Sequence, residues 1–549
     1  MLRPQPIAPI PDETARIARA AFPRGTRWMR LRDELGAVYE DGHFAALYPT
    51  RGRPALAPWR LALVTVLQFA EGLADRQAAE AVRARIDWKY LLGLALDDPG
   101  FDHSVLCEFR ARLVAGEAEQ RLLGSLLDRC QALGLLKARG RQRTDSTRVL
   151  AAVRERNRLE RVAEALRHAL NVLAVVAPDW LRAWAPAEWF DRYGTRLEDG
   201  RLPRGQTERA AVLTTIGADG IRLLTAIYGA DAPAWLREVP AVETVRQVWL
   251  QYFHAPAPPA GAVRLRTPTE MPPAARTICS PYDTAARFNT KAATSRTGYQ
   301  VHLTETCDDD RPQLITQATT TPATTRDVAV TATIQAALAA RDLVPAEHLV
   351  DAGYSNAQLL ATSRAAYGID LVGPAPDDVS WQTKAEQGFD VHSFTIDWDA
   401  RTVTCPAGKR SRYWSDSKDT YGHRINQIVF DKCDCRPCLH RSLCTRSKDG
   451  PRTSALRPRE DHEALQAARQ RERTAEFADR YRARRGVEGT ISQGTRAFEL
   501  RYARYAGLAK SHMQHLATGA AINLQRLDNW WTDTPRAPTR QSAFAKLAA

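Results

Sequence analysis

Between residues 139 and 373 the chain sets out an order of elements that few folds can satisfy. RGRQRTDSTRVL (139–150) suits a strand, and a long helical interlude follows it. GYQVHLTETC and PQLITQATTT then follow on either side of the turn-rich CDDDR, which predicts a hairpin. RDVAVTATIQAALAARDL reads as a helix, EHLVDAG as a short strand, SNAQLLATSRAAYG as a helix capped by Ser355 or Asn356, and IDLVG as a buried strand. Strand, hairpin, helix, strand, helix, strand calls for a mixed sheet with helices on both faces.

That order is the topology of the RNase H-like fold, in which acids lie at the first and fourth strands and on a later helix. Asp145 falls on the first strand and Asp351 at the carboxyl end of the fourth, where open sheets place their sites. Further on, YRARRGVEGT sets Tyr481, Arg484 and Glu488 at i, i+3 and i+7, one face of a single α-helix. Gly486, Gly489 and Gly494 each cost such a helix about 1 kcal/mol relative to Ala, so it must be held by packing or bend near Glu488.

Carboxylates in this number suit phosphodiester chemistry. Two divalent cations about 3.5 to 4 Å apart stabilise the attacking and leaving oxygens, and Mg²⁺ takes oxygen ligands. Unit charges about 4 Å apart repel by roughly 4 kcal/mol at an effective dielectric near 20, so such acids need their cations. Singly, each has a plainer reading: Asp145 as a cap, Asp351 as a turn residue, Glu488 as a surface acid among arginines.

The remaining text divides around this core, which takes residues 136–150, 286–374 and 456–530. Residues 1–135 form a helical domain for DNA binding or dimerisation, with Asp75 capping DRQAAEAVRARI and His103/Ser104 opening the next helix. The helices flanking Gly72 to Asp75 suit a helix-turn-helix, with Arg76, Arg83 and Arg85 near phosphates, or equally a plain bundle. Residues 151–285 are a helical insertion ending in a Pro/Ala linker, and 531–549 a flexible tail.

Residues 375–455 are a small β-rich insertion that carries the cysteine cluster. Cys435-x2-Cys438-x5-Cys444, with Cys405 or Cys433 as a fourth thiolate and His440 as a substitute, offers the tetrahedral set of a structural Zn²⁺; reduced thiols are the alternative. The same insertion mixes Trp381, Trp398, Arg412, Tyr413 and Trp414, read either as core or as stacking partners for an unpaired base.

The net charge of +14 points to a polyanionic partner, nucleic acid first. Residues 401–510 hold 25 Lys/Arg against 13 Asp/Glu, an excess of +12, so the charge is focused. MLRPQPIAPIP has no apolar h-region, and no run approaches the roughly 18 to 20 apolar residues of a membrane span, so a cytoplasmic location is expected. Clustered cysteines in a reducing compartment suit metal rather than disulfides.

TDST, the GYQVH strand, VDAGY and Tyr481-x2-Arg484-x3-Glu488 together resemble the DDE transposases of bacterial insertion sequences. The likeness extends through LADRQAAEAVRARIDWKYLLGL to CPAG and CDCRPC. It implies that Asp145, Asp351 and Glu488 bind Mg²⁺ or Mn²⁺, with Tyr481 and Arg484 assisting at the DNA end. It also implies double-stranded DNA partners (terminal inverted repeats and target), a homodimer on paired ends, and cleavage followed by strand transfer. Where the family usually has Lys seven residues beyond the Glu, this chain has Thr495, with Arg496 beside it. The alternatives are an inactive DNA-binding regulator and a metal-dependent nuclease without strand transfer.

Overall fold

The computed structural model describes the chain except residues 154–156, 197–202, 204, 255–262, 292–293, 379, 386–387, 421, 536–546 and 548–549. The middle of the Pro/Ala linker and most of the expected tail thus lie outside the described residues. The fold is mixed α/β, with a helical amino-terminal region and a sheet-containing core. It divides into two compact units. The first holds Met1–Lys137, Asp145–Thr325 and Glu488–Ala549; the second holds Ala138–Thr144 and Arg326–Val487.

The first unit opens with short helices. Pro58–Glu71 starts on a proline at its first turn and stops at Gly72 in the left-handed conformation, the usual asymmetry of helix ends. It is buried over most of its length, and the last helix, Leu508–Trp531, packs on it. Asp75 does not cap the next helix as expected, because Ala74 occupies that position. Its carboxylate instead accepts from Gln68 Nε2 at 2.6 Å and pairs with Arg110 at 2.5 Å. Arg85 pairs with Glu71 and, at 2.8 Å, with Asp87, while Arg83 bonds Glu80 and the Pro99 carbonyl, so both cations have partners within the protein.

The insertion builds its own core. Arg158–Val176 begins at Asn157, which exchanges capping bonds with Glu160, and packs with Gln206–Tyr228 and Pro240–Tyr252 around Leu166, Leu223 and Trp249. Among the described residues, Gln206–Tyr228 alone is long and apolar enough to cross a membrane, against the expectation that no run approaches that length. One face of it packs in the insertion's core: Leu213, Ile216 and Leu223 are buried in the cluster, and Asp219 on the same helix bonds Arg192 and, at 2.6 Å, the Tyr193 hydroxyl.

Strands β1 (Arg141–Leu150), β2 (Arg287–Lys291), β3 (Thr294–Thr306) and β4 (Ile315–Pro322) form the first unit's part of the sheet, β1 entering it at Asp145. β2 and β4 pair antiparallel with successive halves of one edge of β3, and β1 lies on the other. At Gly298 any Cβ would overlap the Val149 carbonyl oxygen, so glycine lets β3 approach β1. The Leu508–Trp531 helix is pinned to β4 through Asn523, which accepts from the Ile315 amide at 2.7 Å and donates to its carbonyl at 2.8 Å.

In the second unit Arg141–Arg143 of β1 run parallel to β5 (Glu347–Leu349), which runs parallel to β6 (Asp370–Val372). Within the second unit the order is therefore β1-β5-β6, all parallel. Thr331–Ala339 and Ala357–Tyr367 supply the crossover helices; Asn356 caps the latter, accepting from the Leu359 amide at 2.7 Å. The β-rich insertion is a three-stranded sheet, Ser411–Lys418, Arg424–Phe430 and Thr453–Leu456, over a core of Phe394, Val403, Ile428, Phe430 and Leu456. Trp398 and Trp414 pack against that core with ring centroids 5.4 Å apart, and Trp381 lies under Arg446 at 4.6 Å. Trp398 and Trp414 are therefore packing residues, and of these aromatics only Tyr413 is exposed.

Candidate active site

Asp351 follows directly on β5 and Val350, at the carboxyl end of a parallel strand. Its backbone is extended, and its Oδ1 accepts from the Gly353 amide at 2.8 Å, so a tight turn fixes the carboxylate. Arg484 Nη2 stands 3.6 Å from Oδ2; of the residues predicted from sequence, the second unit brings these two together. With Asp351 38% exposed, water screens the pair, and its worth is about 1 kcal/mol or less; its use is orientation.

A neighbouring acid carried no sequence signal. A Cβ on Gly353 would lie 3.0 Å from Asp351 Oδ1 and 3.2 Å from Asp327 Oδ2, so glycine here leaves room for two carboxylates side by side. The turns bearing them are tied by Thr331, whose buried hydroxyl donates to the Tyr354 carbonyl at 2.7 Å. Deeper in the unit, Thr144 Oγ1 and His348 Nε2 are 2.6 Å apart, joining β1 to β5. Burial holds the His348 imidazole well below its ordinary range, at about 4.

Tyr481 and Arg484 arrive on helices fixed to the same strands. Tyr481 stacks on Phe477 at 5.4 Å within Ala475–Arg482. From that helix and the preceding one, Arg480 and Arg471 each reach Asp370 at 2.8 Å, and Arg480 also reaches Glu347 at 3.0 Å. Burial pushes the Asp370 carboxyl up, but the two guanidinium groups outweigh it and hold it below the usual carboxylate range.

The single helix expected over Tyr481, Arg484 and Glu488 is instead three pieces: Ala475–Arg482, a 3₁₀ turn Ala483–Arg485, and Gly486–Ala497. At this break the buried Arg143 donates through Nη1 to the Ala483 carbonyl at 2.5 Å, an oxygen that also accepts the Gly486 amide in the 3₁₀ turn. The guanidinium lies where a Cβ on Gly486 would be.

Asp145 and Glu488 belong to the first unit. Asp145 is half-buried on β1 and accepts from the Ser146 amide at 2.7 Å, while Gln300 Nε2 on β3 donates to Ser146 Oγ at 2.6 Å. Glu488 is exposed between buried Val487 and Thr490. Thr495 Oγ1 bonds back to the Ile491 carbonyl at 2.7 Å, a helix-internal bond that gives no stand-in for a cation, and Arg496 is exposed.

Cys405, Cys435, Cys438, Cys444 and His440 line one pocket of about 340 Å³ in the β-rich insertion, and Cys433 is exposed and outside it. Cys405 opens a turn closed by the Gly408 amide at 2.8 Å, and the Arg452 amide donates to Cys435 Sγ at 3.5 Å. Burial, with the other three thiols adding to it, pushes the Cys444 thiol up against the pull of Arg452. Among the described residues the groups compact enough to enclose a cation do not include these sulfurs; Asp378, Asp390 and His392 form such a group.

Residues 404–528 match the family described as Transposase DDE domain, and residues 17–112 match the family described as Transposase domain (DUF772). Tyr481, Arg484, Glu488 and the cysteine cluster fall in the first match, and Asp145 and Asp351 lie outside both. No curated protein and no solved structure gives a significant match. Both matches are to transposase domains. Together they indicate a likeness to insertion-sequence DDE transposases, a family that implies DNA as partner and a general dependence on divalent metal ions.

Proposed function

We propose that the chain binds the terminal inverted repeats of its element as a dimer on paired ends, hydrolyses the 3′ strand ends, and joins the freed hydroxyls to target DNA. Asp145, Asp351 and Glu488 would hold the divalent ions, Mg²⁺ or Mn²⁺. The donor set fits: all three offer carboxylate oxygens, the ligands hard cations take. Bound there, the ions would neutralise charge on the attacking and leaving oxygens.

The chain's own side chains do the rest. Arg484 orients Asp351 and offers a planar donor pair to a backbone phosphate, and Tyr481, stacked on Phe477, flanks the DNA end. The observation that carries this reading is the carboxylate of Asp351, fixed by its own turn at the carboxyl end of a parallel strand with Arg484 3.6 Å away. A structural Zn²⁺ belongs to the same proposal: Cys405, Cys435, Cys438 and Cys444 line one pocket without yet forming a compact ligand group, and the ion would draw them together and tie the three-stranded sheet of the insertion.

A supercoiled plasmid carrying the native element ends tests the function. With Mg²⁺ or Mn²⁺ the protein should nick and cut at the ends and give joined products. Binding without cutting would make it a regulator, and cutting without joining a nuclease; either result overturns the proposal.

A further inference from the structure

The helix that carries Glu488 has glycine on both sides of that residue, so its own backbone holds the acid loosely. The first unit compensates with a buried polar clamp. Glu305 on β3 is fully buried, and its Oε2 accepts from Thr490 Oγ1 and from Arg526 Nη1, both at 2.6 Å. Arg526, on the last helix, also donates to Thr490 Oγ1 at 2.6 Å, to Gln493 Oε1 at 3.1 and 3.2 Å, and to the Gln313 carbonyl at 2.8 Å.

Three elements meet in this cluster: the hairpin of β3 and β4, the helix of Glu488, and the Leu508–Trp531 helix. The hairpin register slips between Thr304 and Glu305, a bulge of the kind that re-aims a side chain. A buried carboxylate and guanidinium are a poor device for stability alone, since an apolar pair of the same shape does as well or better. They are a good device for geometry: Thr490 lies two residues past Glu488 and Gln493 a turn later, so one guanidinium fixes both the height and the rotation of the helix.

We infer that Glu305, Thr490 and Arg526 form a positioning clamp that sets the Glu488 carboxylate for metal binding. This rests on the proposed role of Glu488. The clamp touches no ion itself; it acts through the helix.

The test uses the full chain with Mn²⁺ as the probe. Thr490→Val removes the shared hydroxyl and keeps the shape, and Thr490→Ser restores it. Thr490→Val should raise the Mn²⁺ concentration for half-maximal cleavage by about 10-fold or more, as loss of a group supporting a metal ligand does. Saturating Mn²⁺ should largely recover the rate. Hydrogen exchange, read without any cleavage, should quicken in Gly486–Ala497 and not in Leu508–Trp531, and Thr490→Ser should behave as wild type. An unchanged Mn²⁺ requirement, or an equal loss at every Mn²⁺ concentration with a lowered melting temperature, would overturn the clamp and leave an ordinary structural ion pair. Glu488→Gln is the separate control: if it cleaves normally, the role of Glu488 fails whatever Thr490→Val does.

Discussion

Alanine at the two glycines beside Glu488 should act in opposite directions. Gly489 has open space around its would-be Cβ, so Gly489→Ala adds helix propensity and nothing else. That change stabilises the helix by about 1 kcal/mol. Gly486 is different. Its Cβ would come within 2.5 Å of Arg143 Nη2 and closer still to Nη1 and Cζ, and Arg143, only 4% exposed, cannot swing into water. The guanidinium must shift and lose its bond to the Ala483 carbonyl. A hydrogen bond to a charged group is worth about 1.5 to 3 kcal/mol. Against about 1 kcal/mol of gained propensity, Gly486→Ala should destabilise locally by about 0.5 to 2 kcal/mol. Hydrogen exchange over Gly486–Ala497 reads both: amides should slow by about 5-fold in Gly489→Ala and quicken by about 2- to 30-fold in Gly486→Ala. Slower exchange in Gly486→Ala would refute the reasoning, as would no slowing in Gly489→Ala.

Three further outcomes follow from the geometry. Gly353→Ala crowds the Asp351 and Asp327 carboxylates and should lower cleavage by about 10- to 100-fold with folding intact, measured by plasmid nicking alongside circular dichroism. His302 and His348 are fully buried and His512 half-buried, and desolvation holds all three neutral, at about 4. The unfolded chain, with histidine near 6.5, binds more protons below that value, so their contribution is intact above about pH 6.5. It falls by about 1.4 kcal/mol per histidine per pH unit down to about 4, and urea midpoints taken from pH 7 to pH 4.5 should drop steadily; a flat profile would contradict buried neutral imidazoles. Purified protein should release about one zinc per chain to a colorimetric chelator. Cys435→Ala and Cys444→Ala should lose that metal and Cys433→Ala should keep it.

Much of the fold was legible because its signals are local. The strands at RGRQRTDSTRVL and GYQVHLTETC, the cap at Asn356 and the hairpin at CDDDR each depend on a few adjacent residues, and all appear where expected. Partnerships over long sequence distance were not legible. Nothing around Asp75 announces Arg110, and nothing around Ala483 announces the Arg143 that bonds its carbonyl where the expected helix breaks. Trp398 and Trp414 were ambiguous for the same reason, since only the folded insertion supplies the small core they cover. Asp351 stood out through its place after a strand, and Arg484 beside it through spacing along a helix. Asp327 and Glu305 sit in unremarkable text, and their neighbours, Gly353 and Thr490, reveal them only in three dimensions.

The most direct test of the central claim is cleavage of a supercoiled plasmid bearing the element ends by Asp145→Asn, Asp351→Asn and Glu488→Gln, with DNA binding followed in parallel. Each variant should bind the ends with nearly wild-type affinity, because cations elsewhere supply the contacts to phosphate, and each should fail to cut at any Mg²⁺ or Mn²⁺ concentration. Normal cleavage by any one of the three, or wild-type cleavage in EDTA, would contradict a metal site built from these carboxylates.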